Sequence, residues 1–379
     1  MRQILFQIPL DRPWNLGPFG QVPGFGFGLV LLLWIAVGIW SMVWHYRAAG
    51  GKWKLADHGS SIATWLVVAA FIAFGAPKLG EYMRANWPGP FQTGVPIFGY
   101  GLMLFIGFSV AVALAARRAE REGLSSDVIW DLATWLFIPG ILGARLFYLI
   151  QYGDKVFEGV PPAQWPIAAL NFSQGGIVLY GALLGGAAGY FTFCYVRRLR
   201  PLGLADIIVP SVFVGIGFGR IGCFLNGCCY GRITTLPWGV RFPKDGVPFV
   251  GLVEKHLIQA TDACTPPLHP TQIYSSIDGF MIAFITAWYF WHRRRNGEVL
   301  AVALVIYPVT RFCIELLRAD EVGKFGTTLT ISQWISIALF LINIAFMIYL
   351  SRRPAVREPI VMPPVDSATL TTRMASATR

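Results

Sequence analysis

The chain has 379 residues, of which 55% are hydrophobic and only 13% are charged. About a quarter of the residues of a soluble domain are charged, so this composition excludes an ordinary soluble protein and indicates an integral membrane protein. The net charge of +11 comes from basic residues in short clusters between apolar runs rather than in one patch, so we expect no nucleic acid partner.

Nine apolar runs are about long enough to cross ~30 Å of hydrocarbon as helices. Asp11, Arg12 and two prolines separate Met1 from the first run, so we expect no cleavable signal peptide and a retained first span. The predicted spans are about 24–44, 60–76, 96–116, 129–150, 175–196, 206–224, 271–292, 299–317 and 329–350.

A basic triplet follows every second run, which places the N-terminus outside and the C-terminus in the cytoplasm of a bacterial inner membrane. The only long external connection, about 225–270, predicts a small ordered cap. The tail beyond the last run is rich in Ser, Thr and Ala and predicts disorder. The triplets are Arg47, Lys52 and Lys54; Arg117, Arg118 and Arg121; Arg197, Arg198 and Arg200; Arg293, Arg294 and Arg295; and Arg352, Arg353 and Arg357.

Three arginines lie within or at the ends of predicted spans, where an ionised side chain costs at least about 2.5–3.5 kcal/mol. With the predicted orientation, Arg145, Arg220 and Arg311 all lie toward the outer ends of their helices. They therefore predict one basic pocket at the outer leaflet. Two alternatives remain open, namely an internal salt-bridge stripe and arginines that reach toward lipid headgroups.

The segment around Arg311 carries a regular polar pattern. Tyr307, Arg311 and Glu315 are four residues apart and share one helical face, and Arg318 adds a second cation one turn further on. We expect Glu315 to pair with Arg311. Because a guanidinium binds phosphate oxygens bidentately and stays charged, such a pocket suits the phosphate of a phospholipid headgroup.

Glycines and cysteines surround these arginines. The glycines of the fifth and sixth spans predict close helix packing, and Gly217 to Gly222 spells G-x-G-x-x-G without a preceding strand, so we expect no dinucleotide site. Cys228 and Cys229 are expected outside, where either one pairs with Cys264 or both are buried as small apolar residues. Their spacing predicts no metal site.

The run from Gly219 to Arg232, Gly-Arg-Ile-Gly-Cys-Phe-Leu-Asn-Gly-Cys-Cys-Tyr-Gly-Arg, resembles the signature of the prolipoprotein diacylglyceryl transferase family, and Leu236 to Pro243 continues it. The resemblance covers about 96–350 and leaves 1–90 outside. The other similar segments follow the family's order: Tyr100-Gly-Leu-Met, Gly143-Ala-Arg-Leu, Gly175-Gly176, Tyr180-Gly, His269 to Tyr274, Tyr307 to Arg318, and Ser332-Gln333.

The resemblance implies an all-α integral membrane protein with a seven-span core and an external cap. It implies an extension with two extra spans at 1–90, the core at 91–350 and a cytoplasmic tail at 351–379. It also implies a reaction without a cofactor or a metal, performed by a monomer. In that reaction the diacylglyceryl group of phosphatidylglycerol is transferred to the thiol of the lipobox cysteine of a preprolipoprotein.

By the same resemblance, Arg220 and Arg311 clamp the phosphate, and Tyr307 and Glu315 shape the clamp. A thiolate that attacks the glyceryl carbon must expel a phosphate, whose developing charge arginines can stabilise. The expected catalytic residues are Arg220, Arg311, Tyr307, Glu315 and Tyr180. The expected phospholipid-binding residues are Arg220, Arg145, Asn226, Gly176, Gly181 and Arg318.

The chain departs from the family pattern at three positions. Tyr180 stands where the best-studied members have a histidine, and Cys223 and Cys228 stand where they have Asn and Glu. A neutral phenol is a poor base toward a thiol, although it can hydrogen-bond the thiol. The departures favour, as a second hypothesis, a catalytically silent relative that binds phospholipid or lipoprotein precursors. A third is a transporter or a thiol-redox membrane protein that uses the cysteines.

Overall fold

The computed structural model describes residues 4–8, 14–15, 21–22, 25–48, 59–70, 95–169, 176, 178–244, 246–319, 323–324 and 326–362. The chain divides into two compact units, Met1–Leu102 and Met103–Arg379.

The described part of the first unit contains two antiparallel strand pairs, two helices and the start of a third helix. The strands are β1 (Ile4–Ile8), which pairs with β4 (Val95–Phe98), and β2 (Trp14–Asn15), which pairs with β3 (Gln21–Val22). The helices are α1 (Phe25–Ala48) and α2 (Gly59–Ala70). They pack through the indole of Trp34, which donates to Trp65 O at 3.1 Å. The sequence analysis predicted no strands, because β1 finds its partner only near residue 95.

The second unit is helical. Each predicted span overlaps a helix among the described residues, although residues 71–76 of the second span lie outside them. The remaining helices are α3 (Gly99–Arg121), α4 (Ser126–Phe157), α5 (Trp165–Ala169), α6 (Leu179–Val196), α7 (Pro201–Asn226), α8 (Val247–Glu254), α9 (Thr271–Phe290), α10 (Glu298–Glu315) and α11 (Ile331–Ser351).

Five of the described helices, α3, α4, α7, α9 and α11, are long and apolar enough to cross a membrane. The protein itself buries only 17–56% of their most apolar stretches. Large apolar side chains such as Phe105, Ile150 and Phe284 point outward. Exposure of so large an apolar surface to water is unfavourable, so these helix faces contact the acyl chains of the membrane. The prediction of a helical multi-pass membrane protein is confirmed.

Glycines bring α4 and α6 into backbone contact. A Cβ atom on Gly181 would collide with the carbonyl oxygen of Gly143, and a Cβ atom on Gly143 would collide with the carbonyl oxygen of Gly181. Only a residue without a side chain allows this approach, which is the packing that the glycine-rich sequence predicted.

The helices α7 and α10 run parallel and in fixed register. At their N-terminal ends, the buried carboxylate of Asp206 accepts hydrogen bonds from Gly297 N at 2.7 Å and Leu300 N at 3.1 Å, so α7 caps the start of α10. Two turns further on, the rings of Phe213 and Tyr307 pack with centroids 5.5 Å apart. Residues about 94 positions apart in the sequence therefore lie at the same height.

The segments that follow α7 and α10 also meet. Arg232 N donates to Leu317 O at 2.8 Å, and Ala319 N donates to Tyr230 O at 3.3 Å. The segment 227–270 then folds over a small core of Tyr230, Phe242, Leu252 and Leu268.

The C-terminal segment differs from its prediction. Disorder was predicted for 351–379, but residues up to 362 are described and pack on the connection between α6 and α7. Ile360 is 6% exposed, and Arg200 N donates to its carbonyl oxygen at 2.8 Å. Met362 N donates to Arg198 O at 2.9 Å. An apolar side chain inserted into the core therefore orders this stretch, which its polar composition concealed. Residues 363–379 lie outside the described residues.

Candidate functional site

The register of α7 and α10 places Arg220 near the arginine pair of α10. Arg220 lies two helical turns beyond Phe213, and Arg311 and Glu315 lie one and two turns beyond Tyr307. Because Phe213 and Tyr307 are in contact and the two helices run parallel, Arg220 comes to the height of the segment from Arg311 to Glu315. Cations are favoured at helix C-termini by the helix dipole, which suits arginines on these last turns.

Glu315 holds the α10 arginines together. Its side chain is fully buried, and its Oε2 atom accepts from Arg311 Nη1 at 2.6 Å and from Arg318 Nη1 at 3.2 Å. The hydroxyl of Thr330 donates to its Oε1 atom at 2.9 Å. The pairing of Glu315 with Arg311 is confirmed. One carboxylate serves two guanidinium groups in the cluster of Arg311, Glu315 and Arg318, and the carboxylate of Asp278, which accepts a hydrogen bond from Thr310 at 3.0 Å, also interacts with Arg311.

Two hydroxyl residues at the start of α11, Thr330 and Ser332, contact this cluster, and neither was among the predicted site residues. Besides its bond to Glu315, Thr330 forms a capping box with Gln333 at the start of α11. Ser332 accepts a hydrogen bond from Arg311 Nη2 at 3.1 Å. The sequence did contain a signal for Thr330, because Thr-x-x-Gln before an apolar run is a capping-box pattern that marks the start of a helix.

Arg220 differs from the α10 arginines in having no acidic partner. Among the described residues it forms no ion pair, and its Nη1 atom lies 3.8 Å from Cys229 Sγ, a weak acceptor. The side chain is half-buried. A guanidinium with no acidic partner among the described residues is chemically suited to bind an anion such as a phosphate.

The side chain of Arg145 donates hydrogen bonds to backbone carbonyl groups at the end of α5 and before α6. Its guanidinium donates to Ala168 O at 3.1 Å, Ala169 O at 2.7 Å and Gly176 O at 3.0 Å. Gly176 has a φ of 88°, and a Cβ atom there would lie 2.5 Å from Arg145 Nη1. Arg145 therefore ties α4 to the connection between α5 and α6, and Gly176 lets it do so. Gly175 lies outside the described residues.

The remaining predicted site residues lie in different surroundings. Tyr180 is 42% exposed on the first turn of α6 and has no hydrogen bond to any described residue. Gly181 lies in the α4–α6 contact rather than facing an open space. Asn226 is the last residue of α7 and hydrogen-bonds the thiol of Cys228. Tyr307 packs its ring on Phe213.

A further polar group lies on the 227–270 segment and the start of α9. Trp238 Nε1 donates to the hydroxyl of Tyr274 at 2.7 Å, and His269 Nδ1 lies 3.3 Å from the same hydroxyl. The backbone of His269 pairs with Gly231 and Arg232. This pairing holds the segment beside the C-terminal ends of α7 and α10.

Comparison with known proteins assigns the chain to a family. The family model described as prolipoprotein diacylglyceryl transferase matches residues 88–349. The phosphatidylglycerol–prolipoprotein diacylglyceryl transferase of Clostridium tetani is 38% identical over 251 residues, which cover 66% of this chain and 92% of the relative. That of Vibrio cholerae is 31% identical over 259 residues, which cover 67% of this chain and 87% of the relative.

A third relative is similar beyond the common core. The enzyme of the same name from Rhodopirellula baltica is 29% identical, and the match covers 89% of this chain and 87% of the relative. That coverage exceeds what residues 88–379 alone would provide, so the similarity includes part of the segment before residue 88. The match of the family model and the identity to these relatives show that the chain belongs to the prolipoprotein diacylglyceryl transferase family.

Proposed function

We propose that the chain transfers the diacylglyceryl group of phosphatidylglycerol to the lipobox cysteine of preprolipoproteins, the first step of lipoprotein maturation. The observation that carries this proposal is Arg220, which has no acidic partner among the described residues and lies at the height of the cluster of Arg311, Glu315 and Arg318. These groups suit a phospholipid phosphate at the C-terminal ends of two parallel helices. The names of the relatives supply the substrates.

In this reaction the sulfur of the substrate cysteine attacks the glyceryl carbon of the lipid. A carbon–sulfur bond forms while the bond from that carbon to the phosphate oxygen breaks, and the electron pair leaves with glycerol phosphate. Arg220 and Arg311 stabilise the charge that develops on this phosphate, as preorganised donors do in other enzymes. The thiol proton passes to a base, so no cofactor is required.

The other site residues have supporting roles. Glu315 orients Arg311 and Arg318, and Tyr307 supports the α10 face by packing on α7. We propose that Asn226 and Gly176 border the lipid headgroup, whereas Arg145 and Gly181 hold the backbone around α6. The hydroxyl of Tyr180 is exposed without a described partner, so it is available to hydrogen-bond the substrate thiol.

We also propose nine spans in a bacterial inner membrane, with an outside N-terminus and a cytoplasmic C-terminus. Residues 1–90 form an extension with two spans, 91–350 form the core with its cap outside at 225–270, residues after 350 are cytoplasmic, and the chain acts as a monomer.

Fusions that end at Lys255 and Arg294 test the orientation. Alkaline phosphatase fused after Lys255 should be active, and green fluorescent protein fused after Arg294 should fluoresce. The opposite pattern would refute it.

Lipid attachment to a peptide tests the proposed reaction. Wild-type protein in vesicles that contain phosphatidylglycerol should retard a lipobox peptide on a gel, and a peptide with Cys→Ser at the lipobox should not be retarded. Tyr180→Phe should slow the reaction if the hydroxyl contacts the thiol, because only that oxygen is removed. If folded wild-type protein never modifies the peptide with any phospholipid, but purified in detergent binds phosphatidylglycerol and loses that binding in Arg220→Ala, the silent lipid-binding relative is the correct function.

A further inference from the structure

Three cysteines whose spacing matches no common metal-binding motif lie close together at the end of α7. The sulfur atoms of Cys223, Cys228 and Cys229 all lie within 4.8 Å of one another. Gly227 ends α7 in the left-handed region with a φ of 82°, and Cys229 has a φ of 59°. The chain therefore doubles back over the last helical turn and brings two thiols toward the third.

The loop that carries these thiols is held in place by α9. Thr271 Oγ1 donates to Cys229 O at 2.7 Å, and Gln272 Nε2 donates to Cys228 O at 2.8 Å. Both side chains belong to residues that are 1% exposed. Buried hydrogen bonds to both carbonyl groups fix the backbone, so the three sulfur atoms do not have to be gathered from a flexible loop.

We propose that Cys223, Cys228 and Cys229 form a three-sulfur binding site for a thiophilic metal ion of the Zn²⁺ and Cd²⁺ class. Thiolates lie about 2.3 Å from Zn²⁺ in proteins, and three of them around one ion fit within the observed spacing with small side-chain rotations. Soft sulfur ligands select such ions over Mg²⁺ or Ca²⁺. The fourth position of a tetrahedral ion stays open to water.

The charges around the cluster favour this ion. Three thiolates around a divalent ion carry one net negative charge, and the Arg220 guanidinium that lies 3.8 Å from Cys229 Sγ compensates it. Binding releases the three thiol protons to solvent and requires no oxidant.

The sequence spacing predicted no metal here, because neither a Cys-x-x-Cys pair nor a histidine lies nearby. The site becomes visible only when the reversal at Gly227 is known. It goes beyond the proposed transfer reaction and does not depend on it. If a metal ion is bound by the three thiolates, the negatively charged metal–thiolate complex, rather than a phosphate, interacts with Arg220.

Titration with Cd²⁺ tests the site by binding alone. Purified full-length protein in detergent, kept reduced, should develop the ultraviolet thiolate-to-metal charge-transfer band, saturating at one ion per chain. Zn²⁺ should compete the band away. Cys223→Ser and Cys228→Ser should each weaken binding by more than about 100-fold, because even the loss of an outer partner of a metal ligand costs about 10–100-fold. The matched variants Cys264→Ser and Cys313→Ser should titrate like wild type.

Two results would overturn the proposal. One is the absence of a saturable band in wild-type protein whose six thiols are shown by alkylation to be reduced. The other is wild-type affinity in both Cys223→Ser and Cys228→Ser. Size-exclusion profiles in detergent establish that each variant is folded, and the wild-type titration stands even if one variant is not.

Discussion

Arg220→Ala is expected to lower diacylglyceryl transfer to a lipobox peptide by about 10²–10³-fold, the usual cost of losing one preorganised donor to a developing negative charge. Arg220 has no acidic partner among the described residues, so its removal takes a cation from the anion site without stranding a buried carboxylate. The fold should therefore survive. Gel-shift rates at saturating phosphatidylglycerol measure the effect.

The matched control is Arg294→Ala, an exposed arginine at the other end of the helices, which should transfer at the wild-type rate. Arg220→Lys should recover only part of the activity, because an ammonium keeps the charge but not the bidentate fork. Transfer by Arg220→Ala at the wild-type rate would refute the role of Arg220 in binding the phosphate. Equal losses of activity in Arg220→Ala and Arg294→Ala would indicate a general effect on membrane insertion.

Glu315→Gln is expected to destabilise the protein by about 3–5 kcal/mol, because removing one partner of a buried ion pair leaves charge uncompensated. Here the loss leaves both Arg311 and Arg318 without the carboxylate that they share. The neutral amide has nearly the same shape as the carboxylate, so the change isolates the charge. Thermal denaturation in detergent, followed by loss of the monodisperse peak, measures the effect.

Two comparisons sharpen this prediction. Glu358→Gln removes a carboxylate that pairs with Arg200 near the surface, and it should cost only about 0–1 kcal/mol. Adding Arg318→Met to Glu315→Gln should restore part of the lost stability, because it removes one of the two cations that share Glu315, and the two changes should therefore not be additive. A midpoint for Glu315→Gln equal to that of Glu358→Gln would contradict a structural role for the shared carboxylate.

The helices and the Arg311–Glu315 pair could be predicted from the sequence because both rest on local patterns. Long apolar runs locate helices, and a separation of four residues places Arg311 and Glu315 on one helical face. Thr330 follows the same logic, since its capping-box spacing was readable.

Other features depend on contacts between distant parts of the chain and could not be predicted. The Arg145 guanidinium donates to the carbonyl oxygens of residues 168, 169 and 176. The positions of these oxygens depend on how the chain runs from the end of α5 to α6. The gathering of Cys223, Cys228 and Cys229 depends on a left-handed turn that Thr271 and Gln272 hold in place from α9. The order of residues near Ile360 depends on the core that receives its side chain and on hydrogen bonds to the backbone of Arg198 and Arg200. In each case the decisive partner is far away in the chain.

The parallel register of α7 and α10 also has a consequence for biosynthesis. Arg220 and Arg311 are 91 residues apart, and the backbone segment around Tyr230 and Arg232 forms its hydrogen bonds with residues 317–319. When Arg220 leaves the ribosome, the groups that complete its surroundings have not yet been synthesised. Assembly of the site is therefore a late event, because α7 is synthesised before α10 and the 317–319 segment exist.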